Sequence, residues 1–298
     1  MRPGDTSDPF RLERSAVRGA FDRASAAYEA AAVLQARVRA ELIERLTLVR
    51  IAPRVVLDLG AGTGRAAREL KRAHPRATVV ALDLAPGMLR EARRHSRLFR
   101  RFERVCGDAF ALPLQGASVD IVFSNLMLQW CDDLDAVLAE VRRVLRPDGF
   151  FGFSTFGPDT LRELRSAWAT ADDATHVNRF IDMHDVGDAL TRAGFVEPVL
   201  DVERVELTYP DVRALVRDLK AIGAHNVTSA RPRGLTGRGR WSSVTAAYER
   251  FRRNGRLPAT FEVVYGAAWG GAGRASATLI GGEARISAQS IGHRVRTE

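Results

Sequence analysis

The chain has 298 residues, of which 46% are hydrophobic, and its formal net charge is +9. This composition is ordinary for a globular protein and excludes a disordered or collagen-like chain. No apolar run approaches the roughly 20 residues that span a bilayer, and the first residues lack the apolar core of a signal peptide. The two cysteines, Cys106 and Cys131, lack the spacing of a metal or redox site, so we expect a reduced, cytoplasmic protein without a metal.

Arginine supplies nearly all of the positive charge, because lysine occurs only at Lys71 and Lys220. A basic chain associates faster with acidic partners, and both nucleic acid and an acidic carrier protein are candidates. The densest basic run, residues 93–101, is interpreted as a solvated helix end and loop.

The first 48 residues are predicted to be mainly helical. Residues 1–14 have the pattern of a frayed terminus, and residues 15–48 are rich in alanine with few helix breakers. Phe21 and Tyr28 lie seven positions apart, so they belong to one apolar stripe of a helix. That stripe either packs in the core or covers a ligand pocket as a lid, with Arg23 near the ligand.

A strand, a glycine-rich turn and a helix follow in order. The apolar run 55–59 predicts a strand, a helix begins near Arg65, and glycines occupy alternate positions between them, at Gly60, Gly62 and Gly64. Glycine tolerates positive φ and lets a ligand approach the backbone, and the helix start points free N–H groups at the same place. The spacing differs from that of dinucleotide and phosphate loops, and the adjacent Asp58 suits an ammonium group better than a pyrophosphate.

A second acidic residue ends the next predicted strand, residues 78–83. Asp83 lies 19 residues after Gly64, at a position where a carboxylate accepts hydrogen bonds from ribose hydroxyls. Together, Asp58 and Asp83 indicate a nucleoside ligand with an amino-acid tail.

This region resembles the class I S-adenosylmethionine-dependent methyltransferases. Their first two motifs match Asp-Leu-Gly-Ala-Gly-Thr-Gly at 58–64 and Ala-Leu-Asp-Leu at 81–84, and Gly-Asp-Ala at 107–109 and the strand at 118–125 match two later landmarks. The resemblance implies that S-adenosylmethionine binds as methyl donor, without a metal. The residues expected to bind it are Asp58, Gly60, Gly62, Gly64, Asp83, Leu84, Asp108, Ala109 and Asn125, with Arg23 and Tyr28 from the lid.

Strands and helices alternate from residue 51 to 156, which predicts an α/β fold with a doubly wound parallel sheet. The resemblance implies a seven-stranded, Rossmann-like sheet whose last strand is antiparallel. Further elements are expected as helices at 86–96, 131–145, 159–169 and 184–193 and strands at 150–156, 199–208 and 259–269. We divide the chain into a helical lid (1–48), a cofactor-binding core (49–208), a basic helical insertion that caps the substrate (209–257), and the last strand with a C-terminal tail (258–298).

Stretches outside the cofactor motifs resemble the malonyl-[acyl-carrier protein] O-methyltransferase family of biotin synthesis. The shared stretches are 31–35, 126–130, 153–164, 180–190, 218–226 and 257–266. The resemblance implies methyl transfer to the free carboxylate of a malonyl thioester, carried by acyl-carrier protein or by coenzyme A. A carboxylate is already ionised at neutral pH, so we expect catalysis by positioning, with neither a general base nor a nucleophile.

Lys220 is the first candidate for holding that carboxylate, and His225 and Asn226 near the predicted helix end are the next. Their alternatives are a solvated lysine and helix-capping residues. Two other functions stay open: an arginine hydroxylase like those of mitochondrial complex I assembly, and a methyltransferase of nucleic acid or another small molecule. Asp-Met-His-Asp at 182–185 favours the carboxylate methyltransferase, and the lack of an Asn-Pro-Pro-Tyr-like motif at Asn125 argues against nucleic acid.

Overall fold

The computed structural model describes residues 11–96, 101–172, 174, 176–224, 228, 234, 236–271, 278–280 and 283–285. Its main sheet contains β1 (Val55–Leu59), β2 (Thr78–Asp83), β3 (Glu103–Cys106), β4 (Val119–Asn125), β5 (Leu145–Phe156), β6 (Val196–Tyr209) and β7 (Leu257–Trp269). The helices are α1 (Arg14–Ala24), α2 (Tyr28–Ala31), α3 (Val33–Thr47), α4 (Arg65–Ala73), α5 (Pro86–Ala92), α6 (Leu134–Val144), α7 (Arg162–Trp168), α8 (Met183–Arg192), α9 (Val212–Ala221) and α10 (Arg238–Glu249). In the tail, β8 (Thr278–Ile280) pairs antiparallel with β9 (Glu283–Arg285).

The strand order of the sheet is β3-β2-β1-β4-β5-β7-β6. The first five strands pair in parallel, whereas β7 runs antiparallel to both of its neighbours, β5 and β6. The predicted α/β sheet of seven strands with an antiparallel last strand is therefore confirmed. Its carboxyl-terminal edge is where ligands bind in open sheets of this kind.

Both faces of the sheet are covered by helices, which explains the continuous apolar run of β1. Val56 and Leu57 are both fully buried, and they belong to the hydrophobic clusters on opposite sides of the sheet. Strands buried on two faces lose the polar alternation of a half-exposed strand. Among the described residues, no helix is long and apolar enough to cross a membrane.

The N-terminal segment, which we predicted to be mainly helical, is not one continuous helix. It forms three helices, because the chain turns at residues 25–27 and again at Ala32, whose φ and ψ are −80° and 45°. The Ser25 hydroxyl donates to the Asp22 carbonyl in the first turn, 2.9 Å away. Alanine-rich sequence favours helix at each position but does not prevent a break where tertiary contacts stabilise it.

Other boundaries differ by a few residues. The α6 helix begins after Asp133, whose carboxylate accepts from the Ala136 N–H at 2.9 Å, and not at Cys131. The β5 strand begins at Leu145, and its register with β4 shifts before Phe150, where we had placed the strand start. Residues 1–10 and 97–100, parts of the predicted frayed terminus and basic run, lie outside the described residues.

The insertion between β6 and β7 leaves the sheet at its ligand-binding edge. Tyr209 at the end of β6 pairs with Leu257 at the start of β7, so α9 and α10 begin and end at one point. The β6 strand runs parallel to β5, because both are antiparallel to β7. The insertion therefore stands beside the carboxyl ends of β1, β4 and β5.

Candidate active site

The glycine loop after β1 has three positive φ angles: +75° at Gly60, +53° at Gly62 and +76° at Gly64. A Cβ at Gly60 would lie 2.3 Å from Met127 Cγ, and one at Gly64 would lie 2.8 Å from Ala92 Cβ. No atom lies within 4 Å of a Cβ built on Gly62. The first and third glycines are therefore required by packing, while the second leaves open space where a ligand can approach the backbone.

The Asp83 carboxylate forms hydrogen bonds with both the glycine loop and the start of α5. One carboxylate oxygen accepts from the Gly62 N–H and the other from the Ala85 N–H, each at 2.8 Å. Burial raises the pKa of Asp83 to about 6, although these backbone hydrogen bonds favour the ionised form. Each oxygen of the carboxylate retains a lone pair that can accept from a ligand hydroxyl.

Asp58 is only 1% exposed, and its Oδ2 has no hydrogen-bond partner among the described residues. Its carboxylate accepts a backbone hydrogen bond from Ala67, but burial, aided by the nearby charge of Asp83, raises its pKa to about 7. The charge of Arg39 lowers this pKa but does not offset burial, and a buried carboxylate that is incompletely compensated is costly. Because Asp58 lines a cavity beside Gly60 and Gly62, a ligand ammonium group there would supply the missing partner.

Two cavities flank the glycine loop and share Tyr28, Gly60, Gly62 and Asn125 as lining residues. The cavity of about 180 Å³ contains Asp58, and the cavity of about 100 Å³ contains Asp83. We call the two together the cofactor cleft. Of the residues expected to bind the cofactor, the structure brings these to the cleft: Asp58, Gly60, Gly62, Asp83, Leu84, Asp108, Ala109, Asn125 and Tyr28.

Gly64 and Arg23 do not line the cleft. Gly64 packs beneath the loop against Ala92, and Arg23 is exposed on α1, where its guanidinium lies near Gly19. Arg39 and Arg65 line the Asp58 side of the cleft. On the Asp83 side the lining arginine is Arg14, whose guanidinium lies 3.7 Å from the ring centroid of Phe110. Its place could not be read from sequence, since Arg14 and Phe110 are far apart in the chain.

The α1 helix crosses the mouth of the Asp83 side of the cleft. The Phe21 ring meets the Trp130 ring edge-on, with centroids 5.1 Å apart, and the Gly87 N–H donates to the Asp22 carboxylate at 2.6 Å. Phe21 and Tyr28 both line the cleft. The side chains predicted to form a lid thus lie next to the glycine loop.

A polar cluster closes the other end of the cleft. Glu29 accepts from Arg65 of α4 and lies 2.7 Å from His95 Nε2. Burial opposes ionisation of Glu29, but its hydrogen bonds with Arg65 and His95 outweigh it and lower the pKa to about 2. The helix break before Tyr28 brings Glu29 to this position.

A larger cavity, of about 710 Å³, lies between the insertion and the sheet edge. Aromatic and aliphatic side chains form much of its wall, and it meets the cofactor cleft at Gln35 and Trp130. Lys220 lines this cavity, whereas His225 and Asn226 lie outside the described residues. Arg213 and Arg217 also line it, and their spacing with Lys220 at i, i+4 and i+7 was a signal in the sequence for one basic helix face.

The buried oxygens without hydrogen-bond partners in the described part of the chain all lie in or beside these cavities. Gln35 and Asp58 line the cofactor cleft, and Asn178 lines the large cavity. The Asp172 Oδ2 atom lies 3.1 Å from Arg240 Nε in an ion pair, so it does not need a ligand. Unpaired buried polar atoms in native proteins call for an explanation. Their concentration here indicates that ligands complete the site.

Comparison with known proteins identifies the relatives of this chain. A model of the methyltransferase domain matches residues 57–153. The chain is 56% identical over 276 residues to the malonyl-[acyl-carrier protein] O-methyltransferase of Laribacter hongkongensis, covering 90% of this chain and 93% of that protein. It is 49% identical over 298 residues to the protein of the same name from Halorhodospira halophila, covering 99% and 100%.

Solved structures show the same fold at low sequence identity. Phosphoethanolamine N-methyltransferase 2 of Haemonchus contortus, in complex with phosphomonomethylethanolamine and S-adenosylhomocysteine, aligns with a TM-score of 0.54 at 17% identity, covering 86% of this chain and 60% of that one. The fold is therefore that of a methyltransferase, and it contains the strand order, the glycine loop and the two acidic residues at the strand ends described above. With relatives of such identity over nearly its whole length, this chain belongs to the malonyl-[acyl-carrier protein] O-methyltransferase family of S-adenosylmethionine-dependent enzymes.

Proposed function

We propose that this protein transfers the methyl group of S-adenosylmethionine to the free carboxylate of malonyl-[acyl-carrier protein], an early step of biotin synthesis. The observation that carries the proposal is the junction of two spaces of different character. The cofactor cleft presents acidic and backbone groups, and the large cavity that opens into it is mainly apolar with a basic rim.

The cleft residues suit each part of the methyl donor. Asp58 would face the ammonium group of the amino-acid tail, and Asp83 would accept from the ribose hydroxyls. Asp108 would accept from the adenine amino group beside Ala109 and Leu84, with Tyr28 and Phe21 covering the cofactor. S-adenosylmethionine supplies, when bound, an electrophilic methyl group on a sulfonium.

For the rest of the reaction, the protein has to position the acceptor carboxylate and exclude water from it. The acceptor carboxylate is ionised at neutral pH, so no residue has to remove a proton. Holding a carboxylate oxygen in line with the methyl group, away from water, is the main source of rate enhancement available to this site. The buried junction at Gln35 provides such a place, since that residue is 9% exposed.

The acyl carrier would dock on the insertion. Arg213, Arg217 and Lys220 share one face of α9, are exposed, and line the mouth of the large cavity. A basic face of this kind attracts an acidic carrier and raises its association rate. Lys220 would draw the malonyl carboxylate into the cavity from that rim. Arg231 and Arg233, which belong to the same basic insertion, lie outside the described residues.

The direct test is methyl transfer from labelled S-adenosylmethionine to malonyl-carrier protein, with acetyl-carrier protein and bulk RNA as alternative acceptors. We expect a base-labile methyl ester on the malonyl carrier alone, because acetyl groups lack the acceptor carboxylate. Label on RNA, or none on malonyl-carrier protein, would contradict the proposal.

The docking face has its own test. The double substitution Arg213→Glu and Arg217→Glu should raise the apparent KM for malonyl-carrier protein about tenfold at low salt, with little change for malonyl-pantetheine. The matched control is Arg68→Glu with Arg72→Glu, an exposed pair of the same spacing on α4 that lines neither cavity. The effect should weaken as salt shortens the Debye length to about 8 Å at physiological ionic strength. Equal effects on both acceptors, or in the control, would show that α9 is not the docking face.

A further inference from the structure

Two side chains form the boundary between the large cavity and the cofactor cleft. Gln35 lines the large cavity and the Asp58 side of the cleft, and Trp130 lines the large cavity and the Asp83 side. Within the described part of the chain, no other residue lines both the large cavity and the cleft. The large cavity therefore meets the cofactor cleft at Gln35 and at Trp130.

The Gln35 side chain is the first neutral donor at this boundary, and it is buried. Its Oε1 has no hydrogen-bond partner among the described residues, although the residue is only 9% exposed. The backbone is fixed, since the Gln35 carbonyl accepts from Asn125 Nδ2 at 3.2 Å and Asn125 Oδ1 accepts from the Ser154 hydroxyl at 3.0 Å. A half-turn of the amide exchanges its oxygen and nitrogen, so the group can present N–H to an acceptor.

The Trp130 indole is the second neutral donor at this boundary. Its ring is held edge-on to Phe21, at an interplanar angle of 89°. The indole N–H donates and has no acceptor capacity, so it can contribute only as a donor to an anionic ligand. Gln35 and Trp130 can thus each donate one N–H at this boundary, and a carboxylate has two oxygens to accept them.

The chemistry of the proposed reaction favours neutral donors here. An electron pair of the carboxylate oxygen forms the new O–CH₃ bond while the S–CH₃ bond breaks and its pair returns to sulfur; no proton moves. The negative charge on the carboxylate disappears as the ester forms. A cation bound tightly to that carboxylate would stabilise the reactant more than the transition state and so slow the step.

The cations near the site either line only the large cavity or are paired with carboxylates. Arg213, Arg217 and Lys220 line only the large cavity and are exposed. In the cleft, Arg39 is paired with Glu69 at 3.2 Å and Arg65 is paired with Glu29. The residues that bound the transfer point are uncharged.

We propose that Gln35 and Trp130 orient the acceptor carboxylate by donating one hydrogen bond each, and that this neutral clamp, not a cation, sets the geometry of methyl transfer. The proposal rests on the proposed function, since it assigns the carboxylate contacts of that reaction. Both residues act by direct contact with the substrate.

The test uses Gln35→Met, which keeps the length of the side chain, and Trp130→Phe, which keeps an aromatic ring against Phe21. Each variant should lower kcat for malonyl-carrier protein about ten- to hundredfold, the usual value of a hydrogen bond to a charged group. KM should change less than kcat, because the carrier contacts on α9 are intact. Calorimetry should show the same S-adenosylmethionine affinity as the unsubstituted protein.

The matched controls are Gln115→Met on the surface and Trp269→Phe at the opposite edge of the sheet, beside Phe150. Both should keep full kcat. Normal kcat in either Gln35→Met or Trp130→Phe, with normal cofactor affinity, would overturn the clamp. The test is therefore decided even if only one of the two variants folds. An equal loss of kcat in the controls would also overturn it. Failure of the unsubstituted protein to methylate malonyl-carrier protein would instead refute the proposed function.

Discussion

The buried charge of Asp58, which its neighbours compensate only in part, leads to an unusual expectation: its removal should stabilise the ligand-free protein. Burial raises the pKa of this carboxyl from its ordinary value of 3.8 to about 7. A difference of about three pKa units corresponds to about 4 kcal/mol at 1.36 kcal/mol per unit, which is an upper limit for a buried group near a second carboxylate. Asp58→Asn keeps the size of the side chain and removes the charge.

The sign follows from proton linkage. A carboxyl whose folded pKa is raised gives its full contribution to stability below pH 4 and loses it as pH rises to about 7, since only the unfolded chain ionises freely in that range. Asparagine has no such dependence. Between pH 5 and pH 8, the free energy of unfolding of Asp58→Asn should therefore rise relative to the unsubstituted protein, by up to about 3 kcal/mol.

Urea denaturation without cofactor, at pH 5 and at pH 8, measures this difference. A saturating amount of S-adenosylmethionine should reverse the order at pH 8, because only the unsubstituted protein has the anionic partner for the ammonium group and gains the full stabilisation of a bound ligand. Asp188→Asn, at an exposed position of α8, is the control. A stability difference that is independent of pH, or that also occurs in Asp188→Asn, would refute the reasoning.

Three further substitutions separate packing from ligand contact in the cleft. Gly60→Ala should lower the melting temperature by several degrees, because its Cβ would meet Met127 Cγ at 2.3 Å at a positive φ. Gly62→Ala, with open space around the Cβ, should weaken S-adenosylmethionine binding more than tenfold by calorimetry while unfolding within a few degrees of the unsubstituted protein; the reverse ranking would contradict our assignment of the loop. Asp22→Ala removes the acceptor of the Gly87 N–H and should speed cofactor release several-fold in stopped-flow experiments, whereas an unchanged release rate would show that α1 is not a lid.

Much of the fold and the core of the cofactor cleft could be predicted because the signals are local. The run from Val55 to Arg65 contains a buried strand, a turn that needs positive φ, and a helix start, and each is encoded by neighbouring residues. The position of Asp83 at the end of β2 could be predicted in the same way. Parallel strands then bring these ends to one edge, whatever the rest of the chain does.

The helix break at residues 25–27 could not be predicted, because alanine favours helix on both sides of it. The contacts that stabilise the break come from residues distant in the chain. Arg65 and His95 form hydrogen bonds with Glu29, and the Gly87 N–H donates to Asp22. The same uncertainty placed Arg23 near the ligand, whereas in the structure Arg14 lines the cleft and Arg23 does not. A change of a few residues in a helix boundary rotates each later side chain to a different face.

The sequence by itself determined that this chain forms an α/β methyltransferase fold and where its cofactor loop lies, since both depend on short-range pattern and backbone conformation. Only the tertiary structure decided which side chains lie where we propose that the acceptor binds. Gln35 and Trp130 lie 95 residues apart in sequence, yet both line the boundary between the large cavity and the cleft. Their positions depend on how α3 packs on the sheet and how α1 crosses its edge, and such packing is a property of the whole core rather than of any segment.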